Sequence, residues 1–481
     1  MTVLRRWLSS FALLICGGTL WTVSGAQDPA RKDGKDGKDP ETVSYYKNVR
    51  PIFQQHCQGC HQPAKAQGGY IMTSHADLLK KGDHDEPGVV PGQADRSMLV
   101  KQITPHGGKP AAMPRGKPPL LDREVALIKK WIAQGAKDDT PASARGTLID
   151  MEHPPVYKRP PVITSLTYSP DGTLLAVAGY HEILLHKTEG GLVARLVGIS
   201  ERIQSLAFSP DGKLLAASGG NPGRFGEVQI WDVARKKLKL SVPVTFDTVY
   251  GVSWSHDGKK LAFGCADNTL RAIDPETGKQ ILFQGAHGDW VLDTVFSKDS
   301  SHLVSVSRDM SMKLTEVATQ RMVDNITSIT PGALKGGLMT VDRHPTRDDL
   351  LIGGADGIPK IYQMYRTKAR QIGDDFNLIR KFPELPGRVY VTRYNKNGSR
   401  IIVGTSNNGK GQVTIFPSEG GKALSTFQGI QGAVYAAAFH PGGALAASAG
   451  FDGVVRINDV NSGKLIREFV PCPLSTDVTS K

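Results

Sequence analysis

A short pattern recurs seven times in the C-terminal part of the chain, and it limits the possible folds more than any other feature. Each copy is an alternating apolar run, a turn, and a second apolar run that ends in small residues. Successive copies begin about 40 to 50 residues apart, the spacing of propeller blades. The copies are SLTYSPDGTLLAVAG at 165, SLAFSPDGKLLAASG at 205, GVSWSHDGKKLAFGC at 251, DTVFSKDSSHLVSVS at 293, TVDRHPTRDDLLIGG at 340, VTRYNKNGSRIIVGT at 391 and AAAFHPGGALAASAG at 436.

Each copy predicts two antiparallel strands joined by a tight hairpin whose turn needs positive φ. The small residues that end the second strand let strands crowd toward a central axis. Runs such as EVQIWDV and GVVRIND predict a third strand, and KLIREFV a fourth. We therefore expect an all-β seven-bladed propeller over residues 150–481, closed either by KLIREFV or by a strand near GTLIDME. The turn pairs are Asp171-Gly172, Asp211-Gly212, Asp257-Gly258, Asn397-Gly398 and Gly442-Gly443.

The copies resemble WD repeats, and Trp231-Asp232 at the end of one third strand is the dipeptide of that name. Other copies read Ile273-Asp274 or Asn458-Asp459, so the resemblance is to the divergent class. His287-Gly288 is interpreted as a structural turn element. An aspartate recurs between the second and third strands, where it could bind a metal or substrate or make a structural hydrogen bond; we favour the structural role. These aspartates are Asp267, Asp309, Asp356 and Asp452.

The segment HCQGCHQPAK, residues 56–65, is the second constraint. With five cysteines and 13 histidines in 481 residues, a chance C-x-x-C-H match is rare. Zinc would need four tetrahedral ligands, yet no second C-x-x-C exists. Of the other cysteines, Cys265 lies in an apolar run and is expected in the core, and Cys472 lies in a polar tail. These are too few for a disulfide framework.

C-x-x-C-H is the attachment signature of c-type haem. Cysteines three apart on a helix share a face and are separated by about 4.5 Å along its axis, so both can bond one edge of a porphyrin. We expect Cys57 and Cys60 to form covalent thioethers and His61 to be the proximal ligand of the iron. The predicted cofactor is one haem c.

The second axial ligand is expected from the segment that follows. Met113 lies in HGGKPAAMPRGKPPL, where prolines forbid a helix, and a thioether on iron explains a methionine there. Met72 and Met98 suit a hydrophobic core better. A histidine or an open position is the alternative. The candidates are Met72, His75, His84, Met98, His106 and Met113.

Residues 44–136 resemble the planctomycete-type cytochrome c domain, through YYKNVRPIFQQHCQGCHQPAKAQGGYIM, VVPGQADRSMLVKQI and MPRGKPPLLDREVALIKKWIAQGA. The resemblance implies that His61 and Met113 are the axial pair. It also implies a small all-α domain, which we place at residues 43–140.

The last helix of this domain can be read from its pattern. Leu121, Val125, Ile128 and Ile132 form one apolar stripe. Leu121 stands where the family tends to have serine, so Asp122 is expected to cap this helix. Trp131 is expected in the core rather than beside the haem, and Gly135 is expected to end the helix.

The N-terminus reads as a signal peptide over residues 1–26. Arg5 and Arg6 precede an apolar stretch, and Ser24-Gly25-Ala26 supplies small residues for cleavage. An uncleaved anchor, or one lipidated at Cys16, is the alternative. Residues 27–42, rich in Lys, Asp and Gly, predict a flexible linker. No other segment could span a membrane, so the mature chain is expected in the periplasm or at the cell surface.

The formal net charge of +13 is spread thinly along the chain, without the dense stripe that nucleic acid would need. Lys101, Lys109, Arg115 and Lys117 cluster in sequence around Met113. They could steer an acidic redox partner to the haem edge, or they could form a solvated loop.

Two functions follow from these features. The first is one-electron transfer by a monohaem cytochrome, an electron carrier and not an enzyme, whose propeller docks an unknown protein partner. The alternative is an oxidoreductase whose propeller carries a second cofactor or substrate site, as in nitrite reductases that join a cytochrome c to a propeller with a second haem. That arrangement would demand an inward-facing histidine and an eighth blade.

Overall fold

The computed structural model describes residues 42–475 apart from 64, 142–148, 329–334, 372 and 374. The predicted signal peptide at 1–26, residues 27–41 of the predicted linker and part of GTLIDME lie outside the described residues. In the described part of the chain, no helix has both the length and the apolar composition needed to span a bilayer.

The N-terminal module, residues 42–141, consists of short helices around one core. Its core includes Phe53, Ile128, Trp131 and Ile132, all almost fully buried. The expectation of an all-α domain is met only in part, because strands β1 (His61–Gln62) and β2 (Lys65–Ala66) form a small hairpin. The helices are α1 (Arg50–His56), α2 (His75–Leu78), α3 (Met98–Ile103) and α4 (Asp122–Ala133), with a π-helical turn at Tyr45–Val49 and 3-10 turns at Gln67–Gly69 and Ala94–Arg96.

Helix α4 corrects one detail of the prediction. Asp122 is its first residue and not its cap. The Leu121 amide is instead held by the Glu124 carboxylate, whose Oε2 accepts its hydrogen bond at 3.0 Å. Trp131 is a core residue that stacks on Tyr45, as predicted. Gly135, at φ 95°, follows the end of the helix and confirms the predicted stop.

Most of the chain forms antiparallel sheets, consistent with a propeller of WD repeats. Within the described residues there are five four-stranded sheets and one seven-stranded sheet. The long strand β6 serves two blades, because its first half pairs with β5 and its second half with β7. The first two blades comprise β3 (Leu166–Tyr168), β4 (Leu174–Ala178), β5 (Tyr180–Lys187), β6 (Leu192–Phe208), β7 (Leu214–Asn221), β8 (Phe225–Asp232) and β9 (Lys237–Thr245).

Each of the remaining five sheets is one blade of four consecutive strands. These are β10 (Val249–Trp254), β11 (Leu261–Cys265), β12 (Leu270–Ile273) and β13 (Gln280–Gln284); β14 (Val291–Phe296), β15 (His302–Ser307), β16 (Met312–Glu316) and β17 (Arg321–Asn325); β18 (Leu338–Arg343), β19 (Asp349–Gly354), β20 (Lys360–Gln363) and β21 (Leu378–Lys381); β22 (Arg388–Tyr394), β23 (Arg400–Asn407), β24 (Lys410–Pro417) and β25 (Ser425–Thr426); and β26 (Val434–Phe439), β27 (Leu445–Gly450), β28 (Val455–Asp459) and β29 (Leu465–Phe469).

The innermost strands form a closed ring. In the order β3, β6, β10, β14, β18, β22 and β26, each contacts the next, and β26 contacts β3. The described residues therefore contain seven blades. Cys265 is fully buried between blades, as predicted.

The hairpin turns differ in detail from the tight turns that were predicted. In blade 1, Ser169 and Leu174 are the last paired residues, so the loop has four residues. Only Gly172 takes positive φ, at 77°, whereas Asp171 acts through its carboxylate, which accepts hydrogen bonds from Ser169 and Thr173. The aspartate of the pair is thus a side-chain brace, and the glycine alone supplies the left-handed conformation.

The recurring aspartates between second and third strands are structural, as favoured. All four accept a hydrogen bond from the amide two residues on, and each lies within ion-pair distance of a basic side chain four residues on. Asp309 also accepts hydrogen bonds from His287 Nδ1 and the Gly288 amide, both at 2.9 Å. His287 also lies 2.8 Å from Ser305 Oγ of β15, so the His287-Gly288 element connects the segment before β14 to β15 and to the turn that follows β15, a structural role as expected.

The ring closes without exchange of a strand between its ends. KLIREFV supplies β29, the fourth strand of the last blade. Closure instead uses the segments that flank the repeats: the Ile163 amide donates to Gly450 O at 2.9 Å, and the Ser475 amide donates to Tyr157 O at 2.8 Å. Cys472, expected in a polar tail, is 5% exposed in the core shared by the first and last blades.

Replacing Asp309 by asparagine tests the structural role of these aspartates. Burial would raise the pKa of Asp309, but hydrogen bonds from His287, Ser311 and the Gly288 amide outweigh it and hold that pKa far below its ordinary value. A depressed folded pKa gives stability that is present above the unfolded pKa, about 3.9, and lost as pH falls through the folded value. Asp309→Asn should lower the free energy of unfolding by roughly 1–3 kcal/mol at pH 7.

Denaturant titrations from pH 7 to pH 3 measure this effect. The gap between wild type and Asp309→Asn should narrow below about pH 4, where the aspartate of the unfolded chain begins to protonate while that of the folded chain stays ionised. Asp95→Asn, at an exposed position of the N-terminal module, is the control and should change little. A gap that stays constant across the range would contradict the role of the ionised carboxylate.

Candidate functional site

The N-terminal module contains a cavity of about 440 Å³, and the four predicted site residues all line it. Cys57, Cys60, His61 and Met113 belong to its wall. Its volume falls within the range of about 300–1,000 Å³ that is typical of ligand pockets. The structure thus brings the C-x-x-C-H segment and the methionine loop to one place, although more than fifty residues separate them in sequence.

The two cysteines lie on a turn that follows α1, not on the helix itself. Helix α1 ends at His56, and the Cys60 and His61 amides both donate to the Cys57 carbonyl at 3.1 Å. The expected helical face is therefore replaced by a hydrogen-bonded turn. This turn still places both cysteines on the cavity wall.

Burial keeps the cysteine beside the core uncharged. Desolvation raises the pKa of the Cys57 thiol to about 12. Cys57 and Cys60 are both free cysteines in the structure. A thioether sulfur carries no charge, so it loses nothing when it is buried in such surroundings, whereas a thiolate ligand of a metal would be disfavoured.

His61 is oriented by a backbone contact. Its Nδ1 lies 3.0 Å from the Tyr70 carbonyl oxygen, and the Tyr70 hydroxyl in turn donates to Leu78 O at 2.7 Å. A proton held on Nδ1 by that carbonyl leaves Nε2 as the unprotonated nitrogen, the form that binds metals. Burial, opposed by hydrogen bonds to backbone carbonyls, lowers the pKa of His61 and so favours the neutral ring.

Met113 is held at the cavity by its backbone. Its amide donates to the Gln102 carbonyl of α3 at 2.9 Å, and its side chain is half-buried against the module core. This bond anchors the proline-rich loop at the position where the methionine meets the cavity.

The other candidates for a second ligand separate into two groups. Met72, His84 and Met98 also line the cavity, whereas His75 and His106 do not. Met72 is 2% exposed within the core, and Met98 Sδ accepts a hydrogen bond from Gln102 Nε2 at 3.5 Å. Met72 is thus a core residue, as predicted, whereas Met98 is half-buried and lies outside the core cluster.

The residues present fit a haem better than a metal held by side chains alone. Among the described residues, no three His, Cys, Asp or Glu side chains are grouped so that they could hold an ion between them. The cavity instead offers two cysteines, one oriented imidazole and one thioether. This is the donor set of a covalently attached haem with histidine and methionine ligands.

The predicted basic cluster around Met113 divides in the structure. Arg115 and Lys117 line the cavity. Lys101 pairs with Glu86, with Nζ 2.5 Å from Oε2, and Lys109 is exposed away from the cavity wall. Only two of the four residues therefore carry unpaired positive charge to the cavity mouth.

The cysteine turn also rests on the propeller. An added Cβ at Gly59 would lie 2.6 Å from the Ser241 carbonyl of β9 and 2.9 Å from Pro243 Cδ. Lys65 Nζ donates to the Lys239 carbonyl of the same strand at 2.7 Å. The cysteine turn of the candidate site thus packs against β9, the outer strand of blade 2.

The central channel of the propeller is a polar site that sequence reasoning missed. Its cavity, about 270 Å³, is lined by Asp293, Thr340 and Arg393, with Arg393 Nη1 3.5 Å from Asp293 Oδ2. No histidine lines it in the described residues, so the inward histidine required by the alternative function does not appear there. The sequence did contain a signal for this cavity. The first residue of each of the seven repeat copies lines it, at positions 165, 205, 251, 293, 340, 391 and 436.

Segments of the chain match two kinds of protein family. Residues 57–115 match the family described as Planctomycete cytochrome C. Residues 190–232, 278–315 and 421–459 match WD domain, G-beta repeat, and residues 223–289 match the WD40 domain of anaphase-promoting complex subunit 4. The chain therefore joins a segment of the first kind to WD repeats.

The similar proteins match part of the chain at low identity. Eukaryotic translation initiation factor 3 subunit I of Aspergillus niger is 24% identical over 236 residues, 49% of this chain and 56% of that protein. WD repeat and SOCS box-containing protein 1 of Mus musculus is 33% identical over 91 residues, 18% of this chain and 22% of that protein. The chain spans about half the length of the first such relatives.

Replacing Gly59 by valine tests the packing of the cysteine turn against β9 of blade 2. The added side chain would overlap the β9 backbone, so Gly59→Val should lower the free energy of unfolding by roughly 1–3 kcal/mol in urea titrations. Gly285→Val is the matched control, because an added Cβ there meets nothing within 4 Å. Equal stability of the two variants would show that the cysteine turn does not rest on the propeller.

Proposed function

We propose that this protein is an exported monohaem c-type cytochrome that carries electrons, with its propeller as the platform for partner proteins. The observation that carries the proposal is the convergence of Cys57, Cys60, His61 and Met113 on one cavity. When bound, haem c would supply one-electron redox chemistry at its iron.

Each residue has a distinct role in this proposal. Cys57 and Cys60 would hold the group covalently through thioethers, which carry no charge. His61 would provide Nε2 to the iron while the Tyr70 carbonyl holds Nδ1. Met113 would provide its sulfur, and its backbone bond to Gln102 keeps it at the cavity.

Two protein ligands would favour electron transfer over catalysis at the iron. If His61 and Met113 both bound the iron, they would leave no position for oxygen or peroxide, which would suit a carrier rather than an enzyme. Haem is attached to C-x-x-C-H motifs outside the cytoplasm, so the proposal includes export to the periplasm or cell surface.

The propeller supports the platform role by its build. WD-repeat propellers commonly mediate protein interactions, and seven rigid blades present broad loop-lined faces. We propose that an acidic redox partner docks at the cavity mouth, where Arg115 and Lys117 lie, and that the propeller binds a second protein.

Replacing Met113 by alanine tests the ligand assignment. Protein secreted from a host competent in cytochrome maturation should stain for haem on a denaturing gel whether wild type or Met113→Ala, because the thioethers remain. The variant should lose the near-infrared sulfur-to-iron band of the ferric state. Met98→Ala is the matched control, since this methionine lines the same cavity, and should keep the band.

Two results would contradict the proposal. Colourless wild-type protein would show that no haem is attached. If the near-infrared band persists in Met113→Ala and disappears in Met98→Ala, the sulfur ligand is Met98 and not Met113.

Charge reversal tests the docking surface. Arg115→Glu with Lys117→Glu should slow electron transfer to an acidic redox protein by about tenfold or more at low salt, with a smaller difference at high salt, because steering is screened. Stopped-flow kinetics at two ionic strengths measure this. Arg123→Glu, exposed on α4, is the control. Rates equal to wild type at both ionic strengths would rule out this docking site.

A further inference from the structure

A second large cavity, about 1,120 Å³, lies where the N-terminal module meets the propeller. Arg50 and Gln54 of α1 line it on one side, and Arg224 and Phe225 of blade 2 line it on another. Leu474 in the C-terminal segment contributes a further wall. None of these residues lines the candidate cofactor site. Junctions between domains are preferred places for ligand sites.

The cavity has positive charge that the protein does not neutralise. Within the described chain, no carboxylate lies within ion-pair distance of Arg50 or Arg224, and the Arg50 guanidinium lies over the Tyr46 ring, 5.4 Å from its centroid. Arg195 also lines the cavity, but it is bound by Glu182 through two hydrogen bonds of 2.6 and 2.7 Å. Of the described carboxylates, Glu201 is the one on the wall.

The cavity also has apolar surface. Val156 and Leu474 on its wall are 79% and 43% exposed, and Phe225 is nearby on β8. Exposed apolar side chains beside unneutralised guanidinium groups suit a ligand with both characters. An anion would form charge-assisted hydrogen bonds with the arginines, and an apolar body would cover the rest of the wall.

We propose that this cavity binds a small organic oxyanion, with a carboxylate or phosphate group on an apolar body, held by Arg50 of the N-terminal module and Arg224 of blade 2. Because one arginine comes from each part, an occupied site would also link the module to the propeller. The site needs no haem, so a test of this binding is independent of the proposed electron transfer.

Calorimetric titration of the full chain tests the site with four probes: phenyl phosphate, benzoate, inorganic phosphate and benzyl alcohol. Phenyl phosphate or benzoate should bind at one site per chain, and inorganic phosphate and benzyl alcohol more weakly, since each supplies only one of the two characters. Arg50→Gln and Arg224→Gln should each weaken binding about tenfold or more, as loss of a charge-assisted hydrogen bond would. Arg123→Gln and Arg321→Gln, at exposed positions outside the cavity, are the controls.

A second variant separates loss of the site from loss of the fold. Gln54→Trp would place an indole one helical turn after Arg50 on α1 without removing charge, and should weaken binding about tenfold or more, while its thermal unfolding midpoint stays close to that of wild type. The proposal is overturned if neither phenyl phosphate nor benzoate binds saturably to wild type. It is also overturned if binding persists unchanged in both arginine variants.

Discussion

The closed ring of inner strands is the constraint on which the rest of this molecule depends. Seven strands meet around the axis only if the last blade contacts the first, and here no strand is exchanged to make that contact. The joint is instead made by the Ile163 amide on Gly450, the pairing of Tyr157 with Ser475, and the apolar residues between them. The N- and C-terminal flanks of the repeats therefore hold the ring shut, and the outer strand β9 keeps a fixed position on which the N-terminal module rests.

Two residues show what the repeat pattern could and could not predict. The sequence pattern reveals the hairpins because five of the seven repeat turns carry a glycine at positive φ, namely Gly172, Gly212, Gly258, Gly398 and Gly443. It did not reveal that Cys472 is buried, since the burial comes from the meeting of the first and last blades, residues remote in sequence. Nor could the cap of α4 be read from residue type alone. Asp122 is a good cap by composition, but the Glu124 side chain reaches the Leu121 amide instead.

The candidate site was predictable because its chemistry is carried by a short motif and by one loop. Cys57, Cys60 and His61 are adjacent, so their pattern is visible without a fold. The choice of Met113 rested on the prolines around it, and the structure adds the Gln102 contact that no local pattern encodes. The contact of Gly59 with β9 was invisible for the same reason as the burial of Cys472, because it joins segments nearly two hundred residues apart.

The packing of the cysteine turn against β9 has a consequence for the order in which the protein is assembled. Gly59 lies between the two cysteines, and an added Cβ there would lie 2.6 Å from the Ser241 carbonyl oxygen, so β9 covers this side of the turn. An enzyme that bonds a cofactor to those sulfurs needs access to an open turn. For the proposed haem protein, covalent attachment would therefore precede contact with β9, and the folded propeller would afterwards cover this side of the turn.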